Sequence, residues 1–279
     1  MNNDMTQYPS GERCPDCNEE LMLFDNPLLH TTGNRITCPC VVDRREKERQ
    51  AKIVHGLQKA RDMMRDEAGL GMRYKQYTFA KFKRNAENSE AQDTAQRFVA
   101  AYLADESTPG MIFCGCAGNG KTFLACCIAN AIIDNKRVSE RACEMLCDGV
   151  RPMHEIYSPV RFFGTADLLQ RIRASFNGYN ADEQGAALID RCKHAPLLVL
   201  DDFGAEKPSE WVAEQLYSII EHRYQHCLHT IITTNCTPGE IQARCGERIA
   251  DRLRSMCATV PMTGESMRRT AVLPAEVTA

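Results

Sequence analysis

The sequence predicts an α/β domain built around a parallel β-sheet, preceded by a small cysteine-rich module. Three observations support this prediction: apolar runs alternate with helical stretches after residue 110, a glycine-rich segment follows the first run, and paired cysteines stand near the N-terminus. Continuous apolar runs separated by helices are typical of parallel strands that are buried on both faces. The four runs are GMIFC (110–114), VRFFG (160–164), PLLVLDD (196–202) and HTIITTN (229–235).

Composition and charge exclude several classes of protein. The 279 residues include 34 Lys and Arg against 37 Asp and Glu, so no global field attracts the chain to nucleic acid or anionic lipid. Any contact with DNA therefore needs a local patch. No apolar stretch approaches the roughly 18 residues of a membrane span, and the N-terminus lacks the pattern of a signal peptide. We expect a cytoplasmic protein without a membrane partner, in which most of the 15 cysteines are reduced core residues.

The paired cysteines near the N-terminus predict a zinc-binding module over residues 1–42. CPDC at 14–17 and CPC at 38–40 bracket about twenty residues, the spacing of small zinc knuckles. A segment this short has little apolar core, so a metal ion would supply much of its folding free energy. His30 could replace one cysteine, and Cys38 and Cys40 need not both bind. The candidate zinc ligands are Cys14, Cys17, Cys38 and Cys40.

A charged linker helix is predicted over residues 43–69. This segment has no proline and carries only a narrow apolar stripe, which favours a solvated connecting helix, although such a stripe could also dock on a partner. The stripe consists of Ile53, Leu57, Ala60 and Met64. Residues 139–159, with Cys143, Cys147 and His154, fit neither the strand nor the helix pattern and are interpreted as an insertion without an assigned function.

The first apolar run leads into the spacing of a phosphate-binding loop. Gly115 is followed by four residues and then by Gly120, Lys121 and Thr122. Glycines let backbone N–H groups surround phosphates, Lys121 can reach the β and γ oxygens, and Thr122 can hold Mg²⁺. The predicted nucleotide-binding residues here are Gly115, Cys116, Ala117, Gly118, Asn119, Gly120, Lys121 and Thr122.

Two later strands end in polar side chains that complete such a site. Asp201 is suited to hold Mg²⁺ through water, and Asp202 to orient the attacking water, because phosphoryl transfer depends on positioning. Asn235 follows the next strand and can hydrogen-bond the γ-phosphate or the water. The sequence therefore predicts a domain over residues 70–279 that binds a nucleoside triphosphate with Mg²⁺.

GERIADRLRS (246–255) places three arginines, Arg248, Arg252 and Arg254, on one short helical stretch. An arginine supplied by a neighbouring subunit can stabilise the transition state of phosphoryl transfer. A solvated basic helix is the alternative interpretation. Arg171 and Arg173 are candidates for DNA contact, although residues two apart do not share one helix face.

Together, GCAGNGKT, LLVLDDFGAE, TIITTN, GERIADRLRS and the closing GESMRR resemble the AAA+ ATPases of the DnaC/DnaI helicase-loader type and the related IstB transposition helpers. The likeness covers about residues 70 to 270. It implies that Lys121 and Thr122 form the Walker A pair, Asp201 and Asp202 the Walker B pair, and Asn235 sensor 1. By the same resemblance Arg252 is the arginine finger, and Arg268 is a sensor-2-like arginine that contacts the nucleotide.

The resemblance implies an ATPase that loads a DnaB-type replicative helicase onto single-stranded DNA and forms a homo-oligomer on binding ATP. An IstB-like transposition helper and a non-hydrolysing adaptor remain alternatives. Asp202 stands where most AAA+ proteins carry glutamate, so slow turnover is expected. Only 44 residues follow Asn235, so the helical lid should be reduced or absent. DnaI-type loaders also carry an N-terminal zinc module, which favours the loader.

Overall fold

The computed structural model describes residues 7–26, 31–152, 154–175, 181–206, 208–264 and 266. His30 and Arg268, two of the predicted site residues, lie outside this described part of the chain. The chain forms two compact units, residues 1–60 with 138–155 and residues 61–137 with 156–279. Within the described ranges, no helix is both long and apolar enough to span a bilayer.

The first unit contains a three-stranded antiparallel sheet with strand order β1-β2-β3. A tight turn follows β1, in which Asn18 has φ of +62° and its N–H donates to the carbonyl of Cys14 at 2.9 Å. This left-handed conformation suits asparagine better than most residues. The turn brings Cys14 and Cys17 close in space. The strands are β1 (Gln7–Arg13), β2 (Glu20–Asn26) and β3 (Thr31–Arg35).

A 30-residue helix, α1 (Pro39–Ala68), begins directly after the third cysteine of the cluster. Its N-terminal part, up to residue 60, belongs to the first unit. The segment interpreted as an insertion contains a second helix of this unit, α4 (Glu140–Cys147), which the sequence pattern does not predict. Ser139 caps this helix, because its hydroxyl accepts from the N–H of Ala142.

Helix α4 packs against α1. Gly56 lies so close to the backbone of Cys143 that a Cβ at residue 56 would overlap it. Around this contact Arg49 pairs with Glu144 at 2.9 Å, and Lys52 pairs with Asp148 at 3.1 Å. The helix pair is therefore fixed at its centre by close backbone packing and at its rim by charge.

The prediction that α1 is a solvated connecting helix is only partly correct. Ala60 and Met64 of the predicted stripe are fully buried, whereas Ile53 and Leu57 are half-buried. The period of the stripe predicts its position on the helix but not how deeply each of its residues is buried.

The second unit contains a five-stranded parallel sheet with strand order β5-β6-β7-β4-β8. The four predicted strands are confirmed. The fifth strand was not predicted, because only Cys257 and Val260 are buried in it, and two residues do not make an apolar run. The strands are β4 (Gly110–Cys114), β5 (Val160–Gly164), β6 (Leu197–Asp201), β7 (His229–Thr234) and β8 (Cys257–Pro261).

Helices cover both faces of this sheet. Alternate strand residues such as Leu198, Leu200 and Ile232 form one core with the helices that follow β5, β6 and β7. The intervening residues face the opposite side, where Leu124 and Ile128 of α3 are fully buried. The remaining helices are α2 (Ser89–Leu103), α3 (Lys121–Asn135), α5 (Thr165–Ser175), α6 (Ala181–His194), α7 (Glu210–Gln225), α8 (Pro238–Cys245) and α9 (Glu247–Met256).

The strand order explains where a ligand site can form. Strands β6, β7 and β4 are neighbours and run parallel, so their carboxyl ends lie at the same edge of the sheet. Residues directly after these strands are 115, 202 and 235, all of which belong to the predicted nucleotide site. Ligands of open α/β sheets bind at this edge.

Candidate functional site

The predicted phosphate loop connects β4 to α3, the strand–loop–helix context that such a loop requires. Gly118 has φ of +88°, and Gly120, which immediately precedes α3, has φ of +99°. Side chains at these positions would strain the backbone. A Cβ on Gly118 would also overlap Ser266. The glycines thus keep the loop bare at the N-terminus of a helix, where phosphate groups are bound favourably.

The side chain of Lys121, the first residue of α3, is buried and contacts this loop. Its ammonium group donates to the carbonyls of Gly115 at 2.7 Å and Cys116 at 2.6 Å, and to Asn119 Oδ1 at 3.1 Å. Burial lowers the pKa of Lys121, while nearby Asp202 acts in the opposite direction. The oxygen atoms of the loop therefore fix the orientation of the lysine side chain.

The carboxylate of Asp201 lies at the end of β6 and is almost fully buried. Two hydroxyls donate to its Oδ1, those of Thr122 at 2.8 Å and Thr233 at 2.6 Å. Burial raises the pKa of Asp201, and the hydrogen bonds from Thr233 and Thr122 oppose that effect. Thr122 and Asp201, the two predicted magnesium ligands, are therefore in direct contact. Their oxygen atoms are the ligand type that Mg²⁺ prefers.

Asp202 and Asn235 line the same cleft as Lys121 and Thr122. Both are exposed, unlike the neighbouring Asp201. Asp202 has φ of +52°, a left-handed conformation that is uncommon for residues other than glycine. The structure thus places Lys121 and Thr122 at the same cleft as Asp202 and Asn235, and brings Asp201 into contact with Thr122.

The cleft has a volume of about 850 Å³ and is also lined by side chains that the motifs in the sequence do not predict. Tyr77 stacks on Phe123 with ring centroids 4.0 Å apart, and Phe82 meets Phe123 at 5.4 Å. The signal in the sequence is the segment 73–83, in which aromatic residues alternate with cations. The cleft-lining residues of this segment are Arg73, Tyr74, Tyr77, Lys81, Phe82 and Lys83.

Asn130 fixes this segment onto α3. Its side-chain amide donates to the carbonyls of Tyr74 at 2.8 Å and Tyr77 at 2.9 Å, while its Oδ1 accepts from Arg65 at 3.0 Å. Asn130 is almost completely buried. One wall of the cleft is therefore held by a polar residue on the same helix that begins with Lys121.

The three predicted candidate arginines do not line this cleft. Arg252 on α9 donates through Nε to Glu221 of α7 at 2.7 Å, and its guanidinium lies 4.7 Å from the ring centre of Tyr224. Arg254 lines a small apolar pocket beside Ile112 and Leu253, and Arg248 is exposed. Arg252 is thus the one among them that a neighbouring helix holds by an ion pair.

The two arginines considered for DNA contact lie on α5 and have different surroundings. Arg171 pairs with Asp167 at 2.8 Å, one helical turn earlier. The guanidinium of Arg173 lies 4.6 Å from the ring centre of Trp211. They do not form a joint basic patch.

The four N-terminal cysteines form a compact cluster. Their sulfurs lie within 4.8 Å of one another, and the Cys14–Cys40 and Cys17–Cys38 pairs are each 3.4 Å apart. Four thiolates in a tetrahedron around zinc lie about 3.8 Å apart, from zinc–sulfur bonds of about 2.3 Å. Backbone N–H groups of Cys17 and Asp16 lower the pKa of Cys14 to about 7, whereas hydrogen bonding to Cys38 raises the pKa of Cys40. The cluster therefore fits a structural zinc ion.

Comparison with known proteins agrees with this geometry. The family model for IstB-like ATP binding proteins matches residues 46–275. The replicative helicase loader DnaI of Bacillus subtilis (strain 168) is 22% identical over an alignment 290 residues long, which covers 95% of this chain and 82% of DnaI.

Two solved structures share the fold. The crystal structure of the DnaC helicase loader aligns with a TM-score of 0.53 and 26% identity, covering 69% of this chain and 100% of that one. AMPPCP-bound DnaA from Aquifex aeolicus aligns with a TM-score of 0.51 and 17% identity, covering 67% of this chain and 50% of DnaA. The predicted AAA+ fold and the resemblance to DnaC/DnaI-type loaders are confirmed.

Proposed function

The chain belongs to the IstB-like ATP binding protein family, and on that premise we propose that it is an ATP-dependent loader of a DnaB-type replicative helicase. In this proposal it acts in the cytoplasm, forms a homo-oligomer on binding ATP, and delivers the helicase to single-stranded DNA. The observation that carries the proposal is the cleft in which Lys121, Thr122, Asp202 and Asn235 meet.

Each residue of the cleft has a proposed role in binding ATP. The phosphate loop from Gly115 to Gly120 surrounds the phosphates with N–H groups, and Lys121 contacts the β and γ oxygens. Thr122 and Asp201 hold Mg²⁺, which when bound neutralises charge on the transferred phosphoryl group. Arg268 is proposed as a further contact to the nucleotide, from the resemblance alone.

Hydrolysis depends on Asp202 and Asn235. We assign Asp202 to orient and polarise the attacking water, and Asn235 to hydrogen-bond that water or the γ-phosphate. Asp202 has one methylene fewer than glutamate, so its carboxylate lies farther from the water. Slow turnover follows, which suits a switch that must persist in its ATP-bound state.

The arrangement of Arg252 supports action between subunits. Glu221 fixes its guanidinium on the outside of the unit. Arg252 is not among the residues that line the chain's own cleft. We infer that Arg252 reaches the ATP of a neighbouring subunit, where a positive charge stabilises the transition state.

The N-terminal cysteine cluster favours a loader over a transposition helper, the alternative that the family leaves open. The alignment with DnaI covers 95% of this chain and therefore includes much of that module. A small module ordered by zinc loses little conformational freedom on docking, which makes it a suitable binding module for a helicase. We assign helicase binding to this module.

Binding of a purified DnaB-type helicase to the full chain, measured by size-exclusion chromatography with ATP, tests the proposal. We expect a stable complex with the wild-type chain and with Cys227→Ser, whose thiol is exposed outside the cluster. Cys17→Ser should lose the complex. A zinc-loaded, ATP-bound chain that ignores the helicase would refute the loader and favour the transposition helper.

ATP turnover with and without single-stranded DNA tests the enzymatic part. We expect slow hydrolysis that DNA alters, and a shallow salt dependence of DNA binding because few phosphates are contacted. A chain that binds ATP, captures the helicase and never hydrolyses ATP would be an adaptor instead.

A further inference from the structure

One buried hydroxyl connects the two acidic residues at the end of β6. The Oγ1 atom of Thr233 donates to Asp201 Oδ1 at 2.6 Å and accepts from the N–H of Asp202 at 3.0 Å. Thr233 is completely buried in β7, the central strand of the sheet. A hydroxyl can donate and accept at once, and here both functions are directed at adjacent residues of one neighbouring strand.

The backbone of Thr233 extends this connection by one residue. Its carbonyl accepts from the N–H of Phe203 at 2.8 Å. The polypeptide from 201 to 203 leaves the sheet through Asp202, whose φ is +52°. Aspartate tolerates this conformation better than most residues other than glycine, and Thr233 contacts the residue on each side of Asp202 as well as the N–H of Asp202 itself.

The other hydroxyl that contacts Asp201, that of Thr122, has a further proposed role. Thr122 donates to the same Oδ1 atom, but it is also the proposed direct ligand of Mg²⁺. Thr233 is not a proposed ligand of Mg²⁺, and neither hydroxyl contacts Oδ2 of Asp201. Thr233 therefore holds the carboxylate of Asp201 through Oδ1 without itself being a proposed ligand of the metal ion.

We propose that Thr233 is a positioning residue that fixes Asp201 toward the magnesium site and turns Asp202 toward the attacking water. This inference rests on the function proposed above. It predicts that loss of the hydroxyl leaves nucleotide binding largely intact but disturbs the alignment of the groups needed for hydrolysis. Misalignment affects the rate of the chemical step more than ground-state binding.

Three variants of the full chain separate positioning from simple stability. Thr233→Val preserves the shape of the side chain and removes both hydrogen bonds, whereas Thr233→Ser retains the hydroxyl. Thr230→Val is the matched control, because Thr230 is equally buried on the same strand but its Oγ1 accepts from Arg223 at 2.9 Å, away from both aspartates.

Steady-state ATP hydrolysis and amide hydrogen exchange of peptides covering residues 201–203 are the measurements. For Thr233→Val we expect kcat to fall about 10- to 100-fold with KM for ATP within about threefold of wild type. Exchange at Asp202 and Phe203 should accelerate. Thr233→Ser should stay within about threefold of wild type in kcat, and Thr230→Val should keep both kcat and the protection at 201–203.

Wild-type kcat in Thr233→Val, no rescue by serine, or an equal loss of kcat in Thr230→Val would each overturn the positioning role. A wild-type chain without ATP turnover would refute the hydrolysis proposed above. In that case the hydrogen exchange of residues 201–203 alone would test the role of Thr233. Unchanged protection of Asp202 in Thr233→Val would exclude an ordering role for Thr233.

Discussion

The guanidinium of Arg252 is held by Glu221 across two helices, with Nε 2.7 Å from Oε2. The ring of Tyr224 lies against the same guanidinium. Arg252 lowers the pKa of Glu221, so the carboxylate remains charged. The partners of Arg252 therefore orient a positive charge at the surface of α9.

We predict that Arg252 acts in trans. Arg252→Ala should reduce ATP hydrolysis strongly, since such arginines contribute about 10³- to 10⁵-fold where measured. Mixed in equal amounts with Lys121→Ala, it should regain about a quarter of the wild-type rate, because about a quarter of head-to-tail interfaces then carry both intact residues. Arg254→Ala, on the same helix, is the control and should remain active. Mixtures that assemble but stay inactive would exclude the trans role.

Lys121 and Asp202 should affect different steps. Lys121→Ala removes the charge that contacts phosphate, so binding of a fluorescent ATP analogue should be lost. Asp202→Asn keeps the shape of the cleft and removes the group that polarises water, so binding should persist while hydrolysis falls by about 100-fold or more. Wild-type turnover in either variant would contradict the proposed site.

Zinc should be required for the N-terminal module. We expect about one zinc per chain by elemental analysis, and its removal by a chelator or acid should unfold the module, because thiolate ligands must be deprotonated. ATP binding should persist in the chelated protein. Hydrogen exchange can follow both regions, and it should also show fraying at the start of α1, which contains Cys40.

The matched variants for this test are Cys17→Ser and Cys227→Ser, since both thiols are exposed. Only Cys17→Ser should lower the zinc content. Equal zinc in both proteins would show that the cluster does not hold the ion.

His229 should make stability depend on pH. Burial lowers its pKa from 6.5, and nearby Arg223 acts in the same direction. Between that lowered value and 6.5 the unfolded chain binds more protons than the folded chain, so stability falls as the pH falls through 6.5 toward the lowered pKa.

The measurement is the difference in Tm between pH 7.5 and pH 5.5. His229→Gln should reduce that difference, because it removes the group that binds a proton more readily in the unfolded chain than in the folded chain. His55→Gln, at an exposed position, should leave it unchanged. An undiminished difference in His229→Gln would rule out this histidine as the source.

The sequence predicts the phosphate loop and the strand-end aspartates well, because these are local patterns with fixed spacing. It also places Asn235, since a polar residue after a buried strand is recognisable. It does not predict which of the two threonines in the TTN stretch contacts Asp201. Thr233 and Thr234 are equivalent in the sequence, and only the alternation of β7 within the sheet turns Thr233 toward Asp201 and Thr234 toward the carbonyl of Phe203.

Contacts between distant segments explain the other misses. The segment 73–83 lies well before the phosphate loop in the sequence, and Asn130 binds this segment through its backbone carbonyls, which no side-chain pattern reveals. Strand β8 pairs with β4 along five residues although few of its side chains are buried. Backbone pairing of this kind depends on the finished sheet rather than on the local sequence.

The three hydrogen bonds of Lys121 also bear on which nucleotides can be selected. Its ammonium group already has acceptors in Gly115, Cys116 and Asn119, so a ligand must offer oxygens that attract it more strongly than neutral carbonyls do. Charged phosphate oxygens meet this condition, because charge-assisted hydrogen bonds are about twice as strong as neutral ones. Adenosine brings no such oxygen, and AMP lacks the β and γ oxygens that Lys121 contacts in the proposed complex. We therefore expect the loop to select nucleotides by the length of the phosphate chain, independently of how the base is recognised.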